Sequence, residues 1–303
     1  MIVVDIPSAT GGGRIRTAAL GSCRVHQPMH ALAESGEITS VATGLHKSHT
    51  ACHALYLLKI VAAEVTVPPV ALPYLFNNGI MPRPRNLRDA AKDGADVLVL
   101  EVCSANQFFY GDTPLQEHLV ADKLVKPYGR ALLGWYRQIC LSGMADELSI
   151  QTALTNLRDG GLEFENMEAL LRGVRLRRQS AQDISRDLTE MGERLEAACL
   201  LVGPISIEDR RGALMTERRA LMDRIEVAGA DCNVPTFDPS PLVSQFGREF
   251  ALAGNGRDVY HYSRAFMPVI GKVLLERIQD VSESIARRAP RQDAAAAATP
   301  VSH

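Results

Sequence analysis

Short apolar runs alternate with longer stretches of helical periodicity along the chain. Residues 14–20 and 38–43 have the length and composition of strands, and residues 96–102, DVLVLEV, form the clearest apolar run. A nearly continuous stretch of leucine and β-branched residues is typical of a parallel strand that is buried on both faces. Two further strands are predicted at residues 198–205, ACLLVGPI, and, from a weaker pattern, at residues 234–237.

Amphipathic helices are predicted in the intervals between these strands, at residues 49–65, 114–141, 181–196, 213–228 and 264–285. Strands that alternate with helices indicate an α/β fold with a mostly parallel sheet that is covered on both faces. The segment at about 112–196 contains no convincing strand. We interpret it as a helical insertion over the ligand-binding edge of the sheet, or as extra helices without contact to a site.

The domain organisation follows from the two ends of the chain. Residues 1–13, which end in three glycines, are predicted to be a flexible leader. Residues 14–288 are predicted to form a single α/β domain. The low-complexity segment at 289–303, APRQDAAAAATPVSH, is predicted to be a disordered tail.

Composition narrows the class of protein. The 303 residues are 46% hydrophobic and 22% charged, which is ordinary for a globular protein, and the net charge of -2 gives no argument for a nucleic-acid or membrane partner. The basic run at 172–178 is interpreted as a solvated helix face. Neither a secretory signal nor an apolar run of about 18 residues is found, so a cytoplasmic location is expected. The six scattered cysteines indicate free thiols.

Small, polar and titratable residues follow the predicted strands. Ligands of open parallel sheets bind beyond the carboxyl ends of the strands, so these residues are expected to gather at one edge. They are Gly21, Ser22 and Cys23 after the first strand, Gly44, His46 and His49 after the second, Glu101, Cys103, Ser104 and Asn106 after the third, and Gly203 and Ser206 after the fourth.

Cys23 is a candidate nucleophile. It is placed at a predicted strand-to-helix turn, where the helix dipole would lower the pKa of its thiol. A nearby imidazole would complete the activation, and a carboxylate would orient that imidazole. Asp258 and His261, three residues apart in RDVYHYS, can supply both groups. The alternative is that Cys23 packs at the turn and that Asp258 caps the last helix, with His261 in its first turn.

The segments GSC and DVYH resemble the first and last motif blocks of the SGNH/GDSL hydrolase superfamily. The chain is most similar to its cysteine-containing branch, which includes capsule-polysaccharide acetyltransferase-like and GSCFA-domain proteins, through LGSCRVHQPM, LVLEVCS and FDPSPLV with DVYHYS. The resemblance implies a flavodoxin-like, three-layer fold of the SGNH type. It also implies a Cys23–His261–Asp258 triad, with Ser22 where the family has aspartate.

The resemblance also implies donors for an oxyanion. Gly44 is the candidate of the second block, and Asn106 stands in for the absent G-x-N-D block, with Ser104 as its competitor. The backbone N–H of Cys23 would be a further donor. Fixed donors matter here, since losing one typically costs a factor of about 10²–10³ in rate. Arg24 would bind an anionic part of a substrate or face solvent.

A cysteine in the serine position favours acyl transfer through a thioester, because thioesters are readily intercepted by amines, hydroxyls or thiols. We expect a small-molecule acyl donor, such as an acyl-CoA or a carrier-bound thioester, a small-molecule or sugar acceptor, and no required cofactor. The same site could hydrolyse the acyl group as an esterase or thioesterase. The sequence leaves the oligomeric state open, with a homodimer as one option.

Other interpretations remain open from the sequence. His26 with His30, and His49 with His53, have the spacing of metal ligands on a helix, which would suit a metal-dependent hydrolase, although ordinary histidines are favoured. Cys103 could form a regulatory disulfide with Cys23, or be a buried small residue. The domain could also bind a ligand without catalysis. Finally, His49 could replace His261 as the base, and Glu101 could orient His49 or Arg24.

Overall fold

The computed structural model of the chain describes residues 1–9, 13–43, 47–76, 79, 94–162, 165–208 and 215–288. Ten strands occur within these ranges. They are β1 (Ile2–Pro7), β2 (Arg14–Leu20), β3 (Thr39–Thr43), β4 (Val97–Glu101), β5 (Asn106–Tyr110), β6 (Thr113–Leu115), β7 (Val174–Arg178), β8 (Ala198–Val202), β9 (Thr236–Phe237) and β10 (Asp258–Tyr262).

The helices of the described ranges vary from single turns to a long C-terminal helix. They are α1 (Cys23–Glu34), α2 (Ala51–Val61), α3 (Leu72–Leu75), α4 (Glu117–Val120), α5 (Lys126–Tyr128), α6 (Arg130–Ser142), α7 (Glu147–Asp159), α8 (Met167–Gly173), α9 (Ala181–Leu195), α10 (Thr216–Asp231), α11 (Ser240–Phe246), α12 (Arg248–Ala251), α13 (Ala253–Gly256) and α14 (Met267–Arg288). A 3₁₀ turn, Pro69–Ala71, precedes α3, and a π-helical turn, Ala121–Val125, joins α4 to α5.

Six strands form the main sheet, in the order β3-β1-β2-β4-β8-β9. The strands β2, β4, β8 and β9 are parallel, whereas β1 is antiparallel to both β2 and β3. Because β3 is therefore aligned with the parallel strands, five carboxyl ends lie at one edge of the sheet. The α/β class and the mostly parallel sheet are confirmed, and the SGNH type of the fold stays a prediction.

The side chains of β4 alternate between two hydrophobic cores. Val97 and Val99 pack into the core beneath α1 and α14, while Leu98 and Leu100 face the core beneath α2, α9 and α10. All four side chains are fully buried. Burial on both faces explains why this strand reads as an uninterrupted apolar run.

The first residues are part of the sheet, so the expectation of a flexible leader over 1–13 is wrong for β1. This strand lies between β2 and β3, and Ile2, Val4 and Ile6 are buried in the core beneath α1 and α14. Pairing with β2 and β3 supplies backbone hydrogen bonds on both sides of β1. Because these partners lie elsewhere in the chain, the sequence of residues 1–13 alone does not reveal the strand. The predicted disordered tail at 289–303 lies outside the described residues.

The segment at 112–196 is not wholly helical. β6 and β7 flank β5 in a second, antiparallel sheet of order β6-β5-β7. The basic run predicted as a helix face becomes strand β7, because Val-Arg-Leu-Arg-Arg alternates with the period of two that a strand requires. The predicted helix at 114–141 is also divided, since Gly129 has a φ of +50° between α5 and α6.

Candidate active site

Gly21, Ser22 and Cys23 form the turn between β2 and α1. Gly21 has no room for a side chain, because a Cβ there would lie 2.7 Å from the Cβ of Glu101. Ser22 is the N-cap of α1, and its Oγ accepts a hydrogen bond from the Arg24 amide at 3.2 Å. Cys23 is thus the first residue of the helix, where the sequence predicted it.

A buried carboxylate holds this turn in place. Oε2 of Glu101 accepts a hydrogen bond from the Ser22 amide at 2.6 Å. Its Oε1 accepts from Nε and Nη2 of Arg24 at 2.7 and 2.6 Å. Both side chains are almost completely buried, and although burial lowers the pKa of Arg24, the charge of Glu101 raises it overall. The turn that carries Cys23 is therefore fixed by a charged frame.

The predicted role of Arg24 as a ligand for a substrate anion is wrong for this arrangement. Its guanidinium lies in the buried pair with Glu101 and is not exposed to solvent. The expectation that Glu101 orients an arginine such as Arg24 is confirmed. Arg24 neutralises Glu101 and thereby stabilises the turn, since a buried carboxylate needs a charged partner.

Burial raises the pKa of the Cys23 thiol above its ordinary value. The nearby charges of Lys47 and Arg24 lower it, and that of Glu101 raises it. Desolvation, which disfavours the thiolate, is the largest of these effects, so the pKa is raised and not lowered as the sequence predicted. In the free protein the thiol is protonated at neutral pH, so that nucleophilic use of Cys23 requires a base.

Asp258 and His261 form a hydrogen-bonded pair on β10. Nδ1 of His261 lies 2.7 Å from Oδ2 of Asp258, and the Tyr260 amide donates to Oδ1 at 2.9 Å. Burial works against ionisation of Asp258, but these hydrogen bonds and the charge of His261 lower its pKa overall. The His261 side chain is 48% exposed, so its Nε2 can face a substrate.

Strand β10 lies beside the helix that begins at Cys23, and α1 packs against it. Tyr262, the neighbour of His261, is buried in the core that also contains Val25 of α1, and burial raises the pKa of its hydroxyl. Among the described residues, the Cys23 thiol and the His261 imidazole share no hydrogen bond. Their joint action stays a prediction, since catalytic hydrogen bonds often tighten only when substrate binds.

A cavity of about 730 Å³ opens at the carboxyl edge of the main sheet. Four of the predicted site residues line it, namely His49, Cys103, Ser104 and Asn106. Cys23, Asp258 and His261 are absent from its described lining, although Tyr260 of the same strand as His261 contributes to it. The cavity therefore adjoins β10 and contains the residues that follow β4.

His49 lines the cavity, and its environment disfavours protonation of the imidazole. Its ring lies 5.1 Å from that of His118, in an edge-on contact. Burial, followed by the charges of His118, Arg24 and Lys47, lowers its pKa to about 3. An imidazole with such a pKa is a weak proton acceptor at neutral pH, which argues against His49 as the base.

Ser104 and Asn106 hydrogen-bond Glu117, a residue that the sequence did not indicate as part of the site. The Ser104 hydroxyl lies 3.2 Å from Oε2 of Glu117, and Asn106 also hydrogen-bonds this carboxylate. Burial raises the pKa of Glu117. No signal in the sequence singled out Glu117, because it lies at the start of α4, after a strand that was predicted as helix.

Gly44 and His46 lie outside the described residues, so the predicted oxyanion glycine is not placed. All six cysteines are free, and no Cys23–Cys103 disulfide is formed. Within the described ranges, no three His, Cys, Asp or Glu side chains are grouped to hold a metal ion. None of the helices in those ranges combines the length and apolarity that crossing a bilayer requires.

The fold and this edge define a mixed α/β protein with a cavity that contains several charged side chains, a thiol at the start of a helix and an Asp–His pair on a strand that contacts this helix. The chain belongs to the TviD N-terminal domain family, whose model matches residues 15–277. It is similar to the Vi polysaccharide biosynthesis protein TviD of Salmonella typhi, with 20% identity over 263 residues. That match takes in 84% of this chain and 30% of the relative, so the chain spans about 30% of the relative's length.

A solved structure described as an arylesterase from Agrobacterium tumefaciens strain C58 is also similar to this chain. The identity is 15%, and the alignment covers 88% of this chain and 98% of the other. The TM-score is 0.32, which is too low to establish a common fold.

Proposed function

We propose that this domain transfers an acyl group through a thioester on Cys23. His261 is the general base and acid, and Asp258 positions it. The observation that carries the proposal is the 2.7 Å pair of His261 and Asp258 on a strand that packs against α1, the helix that starts at Cys23. An imidazole that is oriented through Nδ1 presents Nε2 to a nucleophile, which is the arrangement of a catalytic triad.

The reaction begins with a protonated thiol, because burial raises the pKa of Cys23. Nε2 of His261 takes the thiol proton while Sγ attacks the acyl carbonyl of the donor. The tetrahedral intermediate collapses as the imidazolium returns a proton to the leaving group, and a thioester remains on Cys23. An acceptor hydroxyl then gives its proton to His261 and attacks the thioester, which releases the acylated product and the thiol.

The oxyanion of each intermediate needs donors that are free in the resting protein. Among the described residues, the backbone N–H of Cys23 has no acceptor, because it belongs to the first turn of α1. We assign it as one donor. The side-chain amide of Asn106 in the adjacent cavity is a second candidate, since it has two N–H donors and its hydrogen bond to Glu117 needs only one of them.

The chemical class of the acceptor is inferred from the relative. TviD is a polysaccharide biosynthesis protein, and this chain matches a part of it. We propose a sugar hydroxyl as the acceptor, with an acyl-CoA or a carrier-bound thioester as the donor. A cavity of about 730 Å³ is within the range that holds small-molecule ligands.

Intact-mass spectrometry after incubation with acyl-CoA and activated-ester donors tests the proposal. The wild-type protein is expected to gain one acyl group. The adduct should be absent in Cys23→Ala, and it should form at least about 10²-fold more slowly in His261→Ala, the usual contribution of a general base. Adding sugar acceptors to the acylated wild-type protein should remove the adduct faster than water alone does.

Cys103→Ala is the matched control, because this thiol lines the cavity next to the proposed site. It should retain the adduct, since burial raises the pKa of Cys103 to about 12. An adduct that survives in Cys23→Ala and vanishes in Cys103→Ala would overturn the assignment. Loss of the acyl group to water at the same rate with and without acceptors would show a hydrolase instead.

A further inference from the structure

Three arginines line the cavity without a carboxylate partner. Arg178 ends β7, and Arg218 and Arg224 lie on α10. Among the described residues, no Asp or Glu is within ion-pair distance of these three side chains. Five arginines at nearby positions of the chain do have such partners, namely Arg172, Arg177, Arg186, Arg194 and Arg219.

Backbone contacts hold two of these guanidinium groups in place. Nη1 of Arg218 donates to the carbonyls of Ile205 and Val259, both at 2.9 Å, and its Cζ lies 4.3 Å from the centre of the Tyr260 ring. Nη1 of Arg224 donates to a backbone carbonyl at 3.3 Å. Each group uses one nitrogen for anchoring, which leaves other N–H donors for a ligand.

The environment of Arg218 favours an anion. Burial, followed by repulsion from Arg24, lowers its pKa. Arg24 is already neutralised by Glu101, whereas Arg218 has only carbonyl and aromatic partners within the described residues. A bound anion would relieve the cost of keeping this charge away from water.

Two carboxylates line the same cavity, Glu117 and Glu217. Glu117 is hydrogen-bonded to Ser104 and Asn106, and its pKa is raised by burial and by the charge of Glu217. The two acids are therefore neighbours of each other and are not ion-paired with the arginines. Glu117 lies near the residues that follow β4, whereas Glu217 lies beside Arg218 on α10, so the arginines share the cavity with two carboxylates to which they are not paired.

We propose that Arg178, Arg218 and Arg224 form an anion-binding subsite, which takes a phosphate or a carboxylate of the substrate. This inference rests on the proposed function, because it assigns a substrate group to the same cavity. The anion could come from the phosphates of a coenzyme A donor or from the carboxylate of an acidic sugar. The shared chemistry is a planar or tetrahedral oxyanion that accepts several guanidinium hydrogen bonds.

Titration calorimetry at low ionic strength, with two matched pairs of ligands, tests the subsite. Coenzyme A is compared with pantetheine, which lacks its phosphates, and glucuronate is compared with glucose. The double variant Arg178→Gln/Arg224→Gln keeps Arg218, which makes two backbone hydrogen bonds and contacts the Tyr260 ring. We expect this variant to bind at least one of the charged ligands about tenfold or more weakly, the effect of losing a charged hydrogen bond, and to bind the uncharged ones unchanged.

Arg219→Gln is the control, because Arg219 lies beside Arg218 on α10 but pairs with Asp223 outside the described lining. It should bind all four ligands as the wild-type protein does. Selective weakening for coenzyme A assigns the subsite to the donor, and selective weakening for glucuronate assigns it to the acceptor. The subsite is overturned if neither charged ligand binds more tightly than its counterpart, or if the double variant leaves that difference intact.

Acylation of Cys23 by a neutral aryl ester is measured in the same variants. It should proceed at the wild-type rate in Arg178→Gln/Arg224→Gln, because a neutral donor has no anion for the subsite. Normal acylation together with unaltered ligand binding would overturn the subsite alone. An absence of acylation in every protein, including the wild type, would overturn the proposed function independently.

Discussion

The turn around Cys23 and the strand around His261 are built in opposite ways. Cys23 lies in a buried frame, where Glu101 holds the Ser22 amide and the Arg24 guanidinium at 2.6–2.7 Å. Within the part of the chain that the structure describes, Asp258 is the one side-chain partner of His261, and both members of this pair are more than a third exposed. The proposed nucleophile is therefore buried in a hydrogen-bonded frame, while the proposed base is exposed to solvent.

This difference assigns separate physical tasks to the two regions. Substitutions in the buried frame should act mainly on stability, because they leave a charge or an amide unpaired in the core. Substitutions in the exposed pair should act mainly on the reaction, because solvent can satisfy whatever they leave behind. The predictions below test this division.

Glu101→Gln should cause the largest loss of stability. The change keeps the shape of the side chain but leaves Arg24 as an uncompensated buried charge, which typically costs about 3–5 kcal/mol of unfolding free energy. Urea denaturation measures this loss. Glu147→Gln removes a carboxylate that binds an exposed arginine, Arg172, and serves as the control.

The control should hardly move the denaturation midpoint, because exposed ion pairs contribute little. Equal losses in Glu101→Gln and Glu147→Gln would show that the frame around Cys23 is no more important than a surface contact.

Asp258→Asn should reduce acyl transfer by about 10²- to 10⁴-fold, since the imidazole loses the carboxylate that fixes its tautomer. The stability of the fold should change little, because the pair is exposed. Steady-state kinetics over a range of pH, alongside urea denaturation, separate the two effects. A fall in activity that only follows a fall in stability would contradict a positioning role for Asp258.

Gly21→Ala should destabilise the protein by about 1–3 kcal/mol, the usual range for overpacking a core. The added Cβ would lie 2.7 Å from Glu101 Cβ and 2.9 Å from its Oε2. Gly134→Ala is the control, since a Cβ there meets no atom within 4 Å on α6 and should stabilise the helix slightly. Thermal unfolding of both variants decides whether the close approach at Gly21 is required.

Lys47→Gln should have the smallest effect, a slowing of Cys23 alkylation by roughly two- to threefold at neutral pH, as expected for one partly screened charge. Lys47 is the first of the charges that lower the pKa of Cys23, so its removal raises that pKa further and reduces the thiolate fraction. The midpoint of the pH profile of alkylation by iodoacetamide should shift to higher pH in this variant. An unchanged profile would mean that Lys47 does not act on the thiol.

The elements predicted best from the sequence are those whose environment is uniform. β4 is buried on both faces, so its composition alone indicated a central parallel strand. The residues after β2 and β4 could be placed at one edge because parallel strands end together. Local pattern and sheet direction were sufficient for Ser22, Cys23 and Ser104.

The features that were missed depend on distant partners. β1 is ordered by pairing with β2 and β3, and β7 is held by β5, more than sixty residues earlier in the chain. The arginines of the cavity come from β7 and α10, which no local pattern relates. The raised pKa of Cys23 also depends on the burial of the thiol in the folded chain, which the sequence does not show.

Locating the acyl group by tandem mass spectrometry tests the central claim most directly. The wild-type protein is acylated with a slowly released donor, digested and fragmented, and the modified residue is identified. The account predicts a single acyl group on the Cys23 thiol, formed much more slowly in His261→Ala. An acyl group on Cys103, or on any residue other than Cys23, would contradict it.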